Sequence, residues 1–295
     1  MARFSLLRTF VSYSKRFVEN IKKGKEEKPK KIDYNYKNDC FRDVDVDSIV
    51  ASLEKDGVAF GLKLPDSAVK SIMEFSEKAL CYADRDPRLG FDIRRREAAE
   101  QAIGKKILVA QYYNTMSECA EVERLANNPT LNEIARRYLK SSPSFVGANL
   151  WWTFPVNASD EERSRHAHFF HRDVDDFKFF KFFFYLTDVA SEDGAHVCVV
   201  GSQGKPPVRH PFDRWNIRRY TDDEINQKYA SSQIKEIVGQ AGDGFAEDTW
   251  CIHKGQTPKK EPRLLLQLQF ALFDYGAMHD QRDKHLLKTC HDNSI

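Results

Sequence analysis

The chain of 295 residues is short of several things, and each shortage removes a class of protein. It has six cysteines, at 40, 81, 119, 198, 251 and 290, with no CxxC pair and no regular spacing. A disulfide framework is not expected in a chain of this length, so the thiols read as reduced, in a cytosol-like compartment. No apolar run approaches the roughly 20 residues that a bilayer-spanning helix needs. There is no GxxxxGK[ST] phosphate loop and no internal repeat. Net charge is nearly absent too, at a formal +2, which gives no body-wide surface for nucleic acid.

That small net charge is unevenly placed. Residues 1–31 hold ten Lys and Arg against Glu19, Glu26 and Glu27, a charge of +7 that leaves −5 for the rest. Phe4, Leu7, Val11, Val18 and Ile21 recur at helical spacing within this arm. Three readings stay open: an ordinary helix or solvated tail, an interfacial helix on an anionic membrane, and a mitochondrial presequence, since the first 18 residues carry Arg and Ser but no acid. GKEEKPKK at 24–31 reads as a linker. The chain is therefore divided into an arm and linker, residues 1–40, and a single domain, residues 41–295. A cytoplasmic protein, membrane-associated through residues 1–31 or alternatively mitochondrial, is the expectation. Oligomeric state leaves no trace in the sequence.

What the chain has is 41% hydrophobic residues, 21 Phe among them, enough for a large, sheet-based core. The first half reads as helical: 47–55 capped by Asp47 or Ser48, a turn at Asp56-Gly57 into the strand VAFGLKL, a helix over 66–82, and helices over 117–127 and 129–140. After Ser141-Ser142-Pro143 the segments SFVGANLWWTF, FKFFKFFFYL, HVCVV, QIKEIV, FAEDTWCI and RLLLQLQFALF read as strands. Residues 177–186 are apolar on both faces apart from Lys178 and Lys181, which predicts a strand covered on both sides. Helices followed by strands give one α+β domain with a mainly β core.

The segment RHAHFFHRDVDD carries three His and three Asp in twelve residues. Within it His171 and Asp173 stand two apart, so on an extended segment they face the same side. His253, at the end of FAEDTWCI, is the candidate third ligand. Two His and one carboxylate form the facial triad of non-haem iron sites, which leaves coordination positions open. Arg263, ten residues on and opening RLLLQLQFALF, offers the planar fork that a carboxylate co-substrate needs. By strand alternation Leu265, Gln267 and Gln269 share its face, a polar lining for a ligand cavity, and Gln269 joins the candidate co-substrate residues.

In this conjunction the chain resembles the phytanoyl-CoA dioxygenase family of double-stranded β-helix (jelly-roll) oxygenases. HRD at 171–173 resembles its HxD, FYLTDVASEDGAHVCVVGSQGK at 184–205 its strand–turn–strand with a Gly-Ser end, and HKGQTPKKEPR at 253–263 its His-to-Arg segment. DSIVASLEKDGVAF resembles its opening, and the likeness covers roughly residues 45–275. The resemblance implies Fe(II) on His171, Asp173 and His253, 2-oxoglutarate on Arg263, dioxygen as oxidant, and hydroxylation of a small metabolite or lipid- or sugar-type substrate with release of succinate and CO2. There are two departures. Gln203 stands where a His is frequent. Gly255 stands where a hydroxyl often helps to hold the co-substrate, and Thr257 is the candidate substitute.

Other readings of the same residues remain. His166 and His168 could join His171 on zinc as a hydrolase, or be solvent-exposed, or be hydrogen-bonding neighbours of the site. Asp175 or Asp176 could replace Asp173, and Cys251 could offer a thiolate. A non-catalytic β-barrel with a membrane-binding arm is the reading from a different class. Oxidative halogenation would need the carboxylate position empty, and Asp173 fills it.

Overall fold

The computed structural model describes residues 14–15, 39–204 and 218–290. The basic arm lies outside the described residues apart from Ser14 and Lys15. Among the described residues no helix is long and apolar enough to cross a membrane, and all six cysteines are free.

Two sheets organise the domain. An eight-stranded sheet runs in the order β1 (Val58–Lys63), β9 (Asp243–Glu247), β6 (Phe179–Tyr185), β11 (Arg263–Ala271), β5 (Ser144–Thr153), β4 (Val109–Tyr112), β2 (Leu80–Ala83) and β3 (Gly90–Asp92). A three-stranded sheet is ordered β10 (His253–Gly255), β7 (His196–Val199), β8 (Ile234–Ile237). All the strand pairings are antiparallel. Phe183, Tyr185, Phe245 and Leu265 of the large sheet pack with Cys198 and Ile237 of the small one, so the two sheets face each other as in a jelly roll.

The period-2 pattern of β11 decides what lies on each side of the large sheet. Leu264, Leu266, Leu268 and Phe270 point outward with Phe180, Phe182 and Phe184 of β6. A helical layer covers them through Ile49 and Leu53 of α1 (Val46–Asp56), Ile72 of α2 (Asp66–Lys78) and, beyond the short helices α3 (Arg96–Ile103), α4 (Thr115–Glu118) and α5 (Ala120–Ala126), Leu131 and Ile134 of α6 (Pro129–Leu139). Burial of such side chains contributes about 1.5–3 kcal/mol each. The opposite face presents Arg263, Leu265, Gln267 and Gln269 toward the small sheet, and all seven residues of β6 are buried, as the doubly apolar sequence requires.

Several boundaries differ from the sequence reading. The cap of α1 is Asp45, whose carboxylate accepts from the Ser48 amide at 3.0 Å, in place of Asp47 or Ser48. The helix expected over 66–82 ends at Lys78, because Cys81 pairs with Phe91 and Tyr82 with Gln111 as β2. FAEDTWCI is not one strand. It stops at Glu247, and Asp248 turns the chain by accepting from the amides of Trp250 and Cys251. His253 therefore begins its own strand. The short strands β3 and β4, and the short helices α7 (Asp160–Arg165) and α8 (Asp222–Lys228), carry no long apolar period to announce them.

Gly57 closes α1 in a left-handed conformation (φ 75°), donating to the Leu53 carbonyl. A Cβ at this position would overlap Cys251 Sγ. Gly57→Ala therefore combines backbone strain with a clash. It should destabilise the fold by more than about 1 kcal/mol, read as a lower denaturant midpoint at unchanged slope.

Candidate active site

His171 and His253 come together through the backbone. Each donates its amide to the other's carbonyl at 2.9 Å, a single antiparallel bridge between an irregular segment and the start of β10. The Asp173 amide continues this pairing onto the Thr249 carbonyl at 2.9 Å. The extended stretch puts residues 171 and 173 on one side, while Arg172 between them turns away to the carbonyls of Trp250 and Ser202.

The three ligand atoms converge. His171 Nε2 lies 3.3 Å from Asp173 Oδ1 and His253 Nε2 lies 3.7 Å from Asp173 Oδ2, with all three within 4.8 Å of one another. His171 Nδ1 faces the Phe169 carbonyl at 2.9 Å, and His253 Nδ1 the Cys251 carbonyl at 3.0 Å. A carbonyl only accepts, so each ring donates from Nδ1 and turns Nε2 toward Asp173. Burial, then the neighbouring His171, holds His253 down to about 4, so its ring stays neutral. Burial works against charge on Asp173, but the Lys181 ammonium at 2.6 Å from Oδ2 and the imidazoles keep its carboxyl well below the usual range. Two imidazoles with converging Nε2 atoms and one carboxylate are a donor set that fits a divalent iron ion. Asp175 and Asp176 stand aside: Asp175 accepts from Gln269 and lies 3.4 Å from Lys181, and Asp176 receives the amides of Phe177 and Phe273.

Lys181 is the surrounding residue that sequence reasoning assigned no part in the metal site. It is buried on β6, and its ammonium binds Asp173 Oδ2 with Asp175 nearby. Lys181→Met leaves two carboxylates facing each other without their cation. Because 18% of the Asp173 side chain is open to the cavity, the loss should be about 2 kcal/mol, less than for a sealed pair. Thermal unfolding of the metal-free variant reads this loss, and a divalent ion should restore more stability to it than to the unaltered chain.

The triad opens on a cavity of about 370 Å³ that Arg263 also lines. Arg263 is only 2% exposed. Its Nη1 donates to the Gly194 carbonyl, its Nη2 lies 3.4 Å from Thr153 Oγ1, and its buried Nε has no partner. Among the described residues no carboxylate pairs with it. A sealed guanidinium without an anion is costly, and a carboxylate ligand removes that cost. Gly255 makes room for it, since a Cβ there would stand 3.3 Å from Arg263 Nη2.

Thr257 and Gln269 do not reach the cavity wall. Thr257 Oγ1 is 2.8 Å from His168 Nδ1, so it stands behind that ring. Gln269 shares the face of Arg263 but lies deeper, donating to Asp175 at 3.1 Å. His166 and His168 are buried, not exposed, and neither joins the triad. Burial, then the Arg263 charge, holds His168 well below its ordinary pKa. Cys251 is buried, its thiol 3.2 Å from Gln203 Oε1. His196 begins β7, stacks at 5.4 Å on His253, and places Nε2 at 2.7 Å from Glu247 Oε2. Burial raises the Glu247 carboxyl above its ordinary range and lowers the His196 imidazole below its own, so burial disfavours charge on both. Glu247 gave no sequence signal, because it reads as one polar residue at the end of a strand.

Comparison with known proteins identifies the family. The family model described as phytanoyl-CoA dioxygenase matches residues 82–259, more than half of the chain. Among curated proteins none matches the sequence. Of solved structures, HygX from Streptomyces hygroscopicus with nickel and 2-oxoglutarate bound is similar at a TM-score of 0.53 and 14% identity, covering 82% of this chain and 93% of that one. The same protein with hygromycin B also bound gives 0.52 and 12%, covering 82% and 94%. The non-heme α-ketoglutarate-dependent epimerase SnoN from nogalamycin biosynthesis gives 0.48 and 14%, covering 76% and 80%. At such identities the two HygX structures, at TM-scores of 0.53 and 0.52, speak to the fold alone, a cupin-like barrel. With the family match over 82–259 and a His-Asp-His set within it, the chain belongs to the phytanoyl-CoA dioxygenase family, enzymes that use Fe(II), 2-oxoglutarate and dioxygen.

Proposed function

We propose that this protein hydroxylates a C–H bond of a small molecule, with iron held by His171, Asp173 and His253 and the distal carboxylate of 2-oxoglutarate held by Arg263. The observation that carries this reading is the shared cavity: the convergent triad and a sealed, anion-less guanidinium line the same space. Bound iron would supply the activation of dioxygen, with 2-oxoglutarate as the reductant that leaves as succinate and CO2.

The chain's own residues do the rest. The backbone bridge between His171 and His253 fixes the spacing of the two rings, and the carbonyls of Phe169 and Cys251 fix their tautomers. Lys181 occupies one lobe of Asp173 Oδ2, which limits how that carboxylate can turn. His168, kept neutral and braced by Thr257, stands beside Arg263 without adding a second charge. Asp173 occupies the position that a halide would require, which favours hydroxylation over halogenation. The catalytic unit in this reading is residues 41–295, with residues 1–40 an appendage.

The test is a metabolite screen that measures succinate released with dioxygen consumed, followed by the mass of the product. A product heavier by one oxygen atom is expected. A substrate that is epimerised or cyclised with no oxygen gained would replace hydroxylation with another reaction of the same family.

A further inference from the structure

We propose that the primary substrate is a hydrophilic oxyanion, a carboxylate or phosphate compound, whose anionic group docks between Arg85 and Arg282 at the cavity mouth. This inference rests on the oxygenase reading of the same cavity, which both arginines line.

Acidic residues surround the two arginines in sequence, yet none of them neutralises either one. Asp84 is engaged by Lys105 at 2.5 Å and lies 3.6 Å from His166. Asp86 holds Arg88 through both carboxylate oxygens. Asp280 accepts from the Thr115 amide at 2.8 Å. Among the described residues neither Arg85 nor Arg282 pairs with a carboxylate.

The arginines are nonetheless held in place. Tyr113 organises both: its hydroxyl donates to the Arg85 carbonyl at 2.6 Å, and its ring lies 4.8 Å beneath the Arg282 guanidinium. Arg85 lies 6.0 Å over Trp151, and Arg282 donates from Nη1 to the carbonyls of Gln281 and His279. With Arg282 Nη1 committed to two carbonyls, its other N–H groups and those of Arg85 are the ones that can donate to an oxyanion. Asp84 and Arg85 are both in the left-handed region, at φ 50° and 65°, which is costly for two successive non-glycine residues. Hydrogen bonds from the Asp84 amide to Val109 and from Tyr113 to Arg85 hold this strained corner, and Arg85 is exposed at it.

This is a different cation from the one assigned to the co-substrate. Arg263 is sealed against Gly194 and Thr153, whereas Arg85 lines the same cavity and is exposed. The cavity wall also favours a polar molecule. Gln111 donates to Asn149 at 3.0 Å, and Gln267 sits beside Asn149 in strand register, a row of amides suited to hydroxyl or amide groups. An alkyl chain laid over this row would leave those groups unpaired.

The experiment titrates the anaerobic Fe(II)·2-oxoglutarate protein with inorganic phosphate and, separately, with acetate, by calorimetry, watching the iron–2-oxoglutarate absorption band throughout. Saturable binding of at least one anion is expected, weakened by roughly tenfold or more in Arg85→Gln and in Arg282→Gln with the band unchanged. Arg263→Ala, assayed with iron alone, should keep the anion site. The anion that binds tells phosphate compounds from carboxylates. No saturable binding of either anion, or equal binding by the Arg85→Gln/Arg282→Gln double variant, with the band intact, overturns the anion site and leaves the oxygenase reading standing. Absence of the band in the unaltered protein overturns the oxygenase reading, and the substrate assignment with it.

Discussion

Arg263→Ala raises the apparent Kd for 2-oxoglutarate by about two orders of magnitude or more, while the variant still binds one iron. The expectation follows from where the guanidinium sits. It is 2% exposed, bonded to one carbonyl and near one hydroxyl, with its Nε unpartnered. Losing one partner of a buried, hydrogen-bonded charge pair costs about 2–5 kcal/mol, and tenfold in affinity is 1.4 kcal/mol. Iron binding is spared because Arg263 is not one of the three converging ligands and its side chain bonds to Gly194 and Thr153 instead. Arg263→Lys should recover little, since an ammonium cannot donate two parallel bonds and would lose the bond to Gly194. Isothermal titration of each variant with 2-oxoglutarate in the presence of iron reads this directly. An unchanged affinity in Arg263→Ala would assign the co-substrate to another cation, and Arg85 is then the first to test.

The second large effect is at Asp173. Asp173→Gly should lower the rate of substrate-dependent succinate formation by at least about 100-fold, beyond the 10–100-fold typical of residues that only orient metal ligands. The carboxylate is the one anionic ligand among the three, and it lies between the two imidazoles at 3.3 and 3.7 Å. Its removal also leaves Lys181 with Asp175 alone, a cation facing the metal position with less to neutralise it. Metal content by elemental analysis should therefore fall with activity. Near-wild-type turnover in Asp173→Gly, or chlorinated product from the unaltered protein in chloride buffer, contradicts the role given to this carboxylate.

How far the sequence could be read depends on the range of each signal. The His171-x-Asp173 pair was legible because i, i+2 alternation is a local property of extended chain, and the structure keeps both side chains on one side. The alternation of β11 was legible for the same reason and correctly separated the leucine face from the Arg263 face. It carried no information on depth, so Gln269, on the right face, met Asp175 rather than the cavity. His253 was placed at the end of one continuous strand, but the Asp248 turn breaks that strand and gives the histidine its own. DTWCI has no Gly or Pro to mark the turn. Spacing alone points to Thr257, and only the packing of His168 shows that its hydroxyl stands 2.8 Å from that ring. Arg85 and Tyr113 were out of reach, since β2 read as the tail of a helix and β4 was not read at all. Lys181 beside Asp173 and Glu247 beside His196 depend on how the 171–173 segment and the two sheets pack against each other, which one sequence does not encode locally.

The central claim is that one iron and one 2-oxoglutarate occupy this cavity together, on His171, Asp173, His253 and Arg263. Its most direct test is anaerobic titration of the metal-free protein with Fe(II), with and without 2-oxoglutarate, followed by visible absorption and metal analysis. One iron per chain, and a weak visible charge-transfer band that requires both additions and disappears in Asp173→Gly, is the result expected. Stoichiometric zinc in the protein as purified, no displacement by iron and no band with 2-oxoglutarate would contradict the account.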